Sequence, residues 1–86
     1  MSAVEDTIKA IQALLQQLQQ SGSAAGSAVN SAEESRTRAV QLGSQASVAQ
    51  LSQLHEHLGA VRTQLGGLTE RVGYLLTMAK AIHDGG

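Results

Sequence analysis

Three places in the 86-residue chain have side chains whose chemistry is worth testing first. His55 and His57 flank Glu56, an arrangement that suggests metal ligation. On a helix, however, residues two apart point about 200° away from each other, and a helical metal pair needs a spacing of three or four. These histidines therefore read as solvated surface groups, and His83 with Asp84 reads as a polar tail. Glu33 and Glu34 are adjacent carboxylates with Arg36 and Arg38 nearby to pair with them at a helix surface. The glycine-bearing run Gly22-Ser23-Ala24-Ala25-Gly26 has no lysine and follows no strand pattern, so it is not a phosphate loop. No serine lies in a nucleophile-elbow motif. Without cysteine there is neither a thiolate site nor a disulfide framework. The reading is a non-enzyme with no cofactor, no metal site and no small-molecule substrate.

What remains is the scaffold. The chain is 42% hydrophobic but has one aromatic residue, Tyr74, and no proline. Missing proline and few β-branched residues favour long uninterrupted helices. Six basic residues balance seven acidic ones without forming a basic stripe, which argues against nucleic acid and anionic membranes as partners. No apolar run reaches the roughly 18 residues of a membrane span. The opening, with Glu5 and Asp6, does not read as a signal peptide. The cytoplasm is then the default compartment, or export by a route that needs no such signal.

The second half carries a heptad series: Leu51, Leu54, Leu58, Val61, Leu65, Leu68, Val72, Leu75, Ala79 and Ile82, spaced alternately three and four. This predicts one helix over about 48–82. The first half repeats the period at Val4, Ile8, Ile11, Leu15, Leu18, Gly22, Ala25, Val29, Ala32, Arg36, Ala39 and Gly43. The phase passes unshifted through the glycine- and serine-rich stretch, which favours one helix over about 4–42. The alternative is a break at 21–27 and three helices, with Asn30 or Ser31 as an N-cap. The predicted turn is 43–47: Gly43 ends the first helix in the left-handed conformation, and Ser47 with Gln50 forms a capping box for the second.

Two arms of similar length joined by a short turn make an antiparallel helical hairpin, all-α, with coiled-coil-like packing and a single domain over 1–86. Folding at the turn pairs residues whose numbers sum to about 90. Leu15 falls beside Leu75, and Ala25, Ala32 and Ala39 face Leu65, Leu58 and Leu51. Two features lie outside that seam. Gly59, Gly66 and Gly73 recur every seventh residue, a stripe that would admit a second helix closely. Leu14, Tyr74, Leu76 and Met78 cluster towards the open end as an apolar patch, which reads as a contact with another chain.

With Gln64-Leu65-Gly66-Gly67-Leu68-Thr69-Glu70-Arg71-Val72-Gly73 as its most telling run, the chain resembles small actinobacterial helical-hairpin proteins of unknown function. Its architecture is also similar to the WXG100 proteins of type VII secretion, helical hairpins that dimerise into four-helix bundles. It departs from them at Gly43, which no tryptophan precedes, and at Met78, where an acid would stand four residues after the tyrosine. The expected function is a helical interaction module that binds itself or another helical protein. The alternative, implied by the resemblance, is a secreted or secretion-associated partner protein.

Overall fold

The computed structural model describes residues 2–85. Two helices account for nearly all of them: α1, Ala3–Gln41, and α2, Gln45–Gly85. They run antiparallel and pack along their length as a hairpin, with no strand among the described residues. α1 is continuous through Gly22 and Gly26, so the three-helix alternative is not what forms. The apolar phase across that stretch has a packing partner throughout, and this outweighs the roughly 1 kcal/mol helix penalty of each glycine.

Local signals set the ends. The Ser2 hydroxyl accepts the Glu5 N–H at 3.1 Å, and Glu5 and Asp6 place negative charge in the first turn, where the helix dipole favours it. At the other end Gly43 has φ +73°, the only positive φ among the described residues. The Gly43 N–H donates to the Val40 carbonyl and the Ser44 N–H to the Ala39 carbonyl, which together form a Schellman motif. The Ser44 carbonyl then accepts the Val48 N–H, so Ser44 caps α2. The turn is thus Leu42-Gly43-Ser44, tighter than the predicted 43–47. The Ser47 capping box does not form, because Ser47 already lies in the first turn of α2, where its hydroxyl accepts one from Ser44 at 2.9 Å.

The molecule is a rod. Its radius of gyration is 19.1 Å, against about 12 Å for a compact chain of this length. Every α1 seam residue expected from the periodicity, Val4 through Ala39, is buried or half-buried. The most buried residues are small or β-branched: Ala25, Val29, Ala32, Ala39, Val72 and Ala79. No large side chain is fully enclosed among the described residues.

Candidate functional site

α2 departs from the periodicity in a way that defines the surface of this protein. The expected seam had two rows on α2, and only one of them faces α1. Leu51, Leu58, Leu65, Val72 and Ala79 are buried or half-buried. The other row, Leu54, Val61, Leu68, Leu75 and Ile82, is exposed at 49%, 44%, 44%, 45% and 61%. On the other side of the first row, Val48, His55, Thr69 and Leu76 are half-buried, while Arg62 and His83 on the same stripe stay exposed. α2 is therefore rotated on its axis, away from the arrangement in which both heptad rows meet α1. The uncovered row is exposed both beside the alanines of α1 and at the open end, where α1 carries Ile8, Ile11, Leu15 and Leu18.

This rotation changes the expected patch. Leu14, Tyr74 and Met78 are exposed, at 46%, 66% and 44%. Leu76, expected outside the seam, is half-buried, and its neighbour Leu75, expected within it, is the exposed one. Gly59 and Gly73 are half-buried at the seam's edge and Gly66 is exposed. A Cβ built on any of the three would meet nothing within 4 Å, so α1 does not approach this stripe closely.

Heptad lettering shows how the surface is organised. Let Leu51 of α2 and Ile8 of α1 be position a. The uncovered row of α2 is then d, flanked by c and g. Met78, at g, lies on the same face as Leu75 and Ile82, with Tyr74, at c, beside them. Leu14 of α1 and Leu42, the residue that caps its end, fall on the g stripe, and both are exposed. All seven carboxylates, by contrast, fall at e or f: Glu5, Asp6, Glu33, Glu34, Glu56, Glu70 and Asp84. None lies at c, d or g.

The carboxylates at e mark the opposite flank of the hairpin. Glu33 is held by Arg36 at 2.8 Å and lies 3.7 Å from His55 across the seam. Glu5 meets His83 at 3.3 Å. The hydrogen bond from Arg36 holds the Glu33 carboxyl below its ordinary range. Hydrogen bonds to Asp84 and then Glu5 raise His83 above the usual range of histidine. In an antiparallel pair, e faces e and g faces g, so the apolar d row and the α1 g stripe share the flank away from these ion pairs.

His55 and His57 do not converge. His55 turns to Glu33, while His57 stands exposed on another face. Among the described residues no three of His, Cys, Asp and Glu gather as a metal site, and neither helix is apolar enough to cross a membrane. The surface depressions are shallow. One, lined by Gln64, Gly67, Leu68 and Arg71, lies on the d face itself.

The fold and its surface define a helical hairpin with one ionic flank and one apolar, carboxylate-free flank. Comparison with protein families, with curated proteins and with solved structures returns no match to this chain.

Proposed function

We propose that this chain is a non-enzymatic helical interaction module that works by joining a helical bundle, binding a helical surface with the outer face of α2. The observation that carries this reading is the row Leu54, Val61, Leu68, Leu75 and Ile82, five large aliphatic side chains at constant spacing, each at least 44% exposed. Isolated exposed leucines are ordinary, but a regular row of about 40 Å is a heptad seam without its partner. A helix with apolar residues on more than one side belongs inside a bundle. The carboxylate-free surroundings of the row support the same reading, because charge is depleted at the centre of protein interfaces.

The test is sedimentation equilibrium from micromolar to hundreds of micromolar concentration, alone and with candidate helical partners. Association that is lost in Val61→Ser/Leu75→Ser, with the helical circular dichroism retained, is the expected result. A chain that stays monomeric and binds no helical partner would sink the proposal.

A further inference from the structure

We infer that the partner on the outer face of α2 is a second copy of this chain, docked antiparallel about a two-fold axis at Leu68. This deepens the proposed function and rests on it. Three observations favour a second copy in this register.

The first is area. The chain exposes 6137 Å², whereas a compact monomer of 8.9 kDa exposes about 4800 Å². The excess of roughly 1300 Å² exceeds the ~800 Å² that each partner buries in a standard stable interface. The rod measures 64 × 16 × 12 Å, so its broad face is large enough to bury that amount against an identical face.

The second is the symmetry of the row. A two-fold interface is self-complementary, so each residue must suit the one it meets. With Leu68 on the axis, Leu54 meets the second copy's Ile82 and Val61 meets its Leu75. Each β-branched side chain then packs against a leucine. A parallel arrangement would instead set Val61 against Val61 and Ile82 against Ile82. The axis also lies near the middle of α2, so almost the whole helix is covered.

The third is the distribution of bulk and charge. Leu14, Tyr74, Met78 and Ile82 are exposed at the open end of the hairpin, and Leu42 and Leu54 are exposed at the turn end. Antiparallel docking lays the open-end patch of one copy over the turn-end leucines of the other. Arg71, the one formal charge at c, d or g of α2, then lies near the second copy's Gln64, whereas a parallel pair would bring two Arg71 side chains to the same level.

The chain contains no cysteine, so introduced thiols report the register without interference. Leu54→Cys and Ile82→Cys are made as separate single variants at exposed positions and checked for retained helicity. They are mixed in equal amounts, oxidised mildly and resolved by mass. The mixed disulfide between Cys at 54 and Cys at 82 is expected in about tenfold excess over either homodisulfide, because like positions in the antiparallel pair lie roughly 40 Å apart, beyond any disulfide span. Homodisulfides in excess in a chain that sediments as a dimer would overturn the register while leaving self-association standing. A chain that sediments as a monomer at hundreds of micromolar would overturn the second copy as the occupant, and binding of a different helical partner would then still satisfy the proposed function. A further variant, Leu68→Glu, sets two carboxylates against each other on the axis and should weaken dimerisation by about 100-fold or more.

Discussion

His83 Nε2 lies 3.3 Å from Glu5 Oε1, joining the last turn of α2 to the first turn of α1 across 78 positions of sequence. Four heptads further in, His55 stands opposite Glu33 in the same way. The repeat of the same cross-helix pair at both places shows that the register set at the Schellman turn is kept to the open end. It lies two residues from the pairing that puts Leu15 beside Leu75.

That pair makes stability depend on pH. His83 is raised by Asp84 first and by Glu5 second. Asp84 is adjacent in sequence and acts in the unfolded chain too, so Glu5 is the contribution that folding adds. A raised histidine stabilises the fold below the unfolded value of about 6.5, and the effect is lost as pH rises through the folded value. The lowered Glu33 carboxyl works in the opposite direction, stabilising above about pH 4.3 and losing its effect as pH falls through the folded value. Thermal unfolding should therefore show its highest midpoint at about pH 5–6. The His83 side chain is 41% exposed, so the decline by pH 8 should not exceed about 2 °C. Glu5→Gln should flatten the alkaline side; an unchanged profile in that variant would show that the cross-helix pair does not contribute.

The rotation of α2 predicts opposite behaviour for neighbouring leucines. Leu76 is half-buried against α1, so Leu76→Ala should lower hairpin stability by about 1–2 kcal/mol, roughly half the cost of emptying a full core site. Leu75 is 45% exposed, so Leu75→Ala should leave folding of the isolated hairpin nearly unchanged and weaken association instead. Denaturant titration at low concentration, combined with sedimentation, separates the two effects. The reverse outcome would place the d row against α1.

The glycines predict changes of opposite sign. A Cβ at Gly59, Gly66 or Gly73 meets open space in a helical backbone, so replacing all three with alanine should stabilise the hairpin by about 2–3 kcal/mol. The stripe lies at position b, on the far side of α2 from the d row, so association should survive the triple change. Gly43→Ala instead forces a side chain onto a residue with φ +73° and should cost about 1 kcal/mol. Midpoints measured by circular dichroism decide both. Loss of association in the triple variant would make the glycine stripe the interface.

Much of the fold could be read from periodicity alone. The α1 series from Val4 to Ala39 has both of its heptad rows covered by α2, so the spacing alone places it. The unshifted phase carried the helix correctly through Gly22 and Gly26. α2 was harder because its apolar residues occupy several stripes. Leu54 and Leu51 look equally suited to the seam in a list of spacings, and only the structure separates them. The position of every carboxylate at e or f is one signal, visible once the letters are assigned, because it leaves the d row with no acid beside it. Ser47 reads as a cap in the sequence, but Ser44, three residues earlier and directly after the left-handed glycine, takes that role.

The turn at Leu42-Gly43-Ser44 also governs how the hairpin assembles and comes apart. Contacts beside the turn close short loops and lose little chain entropy, whereas Glu5 and His83 must find each other across 78 positions. Once the turn has formed, each successive layer lies only a few residues beyond the last, so the two helices should zip from the alanine-lined end towards the open one. Opening should retrace that route. Amide hydrogens should exchange fastest near Glu5 and His83 and become progressively slower towards Ala39, a gradient of protection along one continuous helix. The residues freed first by this fraying, around Leu14, Tyr74 and Met78, are among those that an antiparallel second copy would cover.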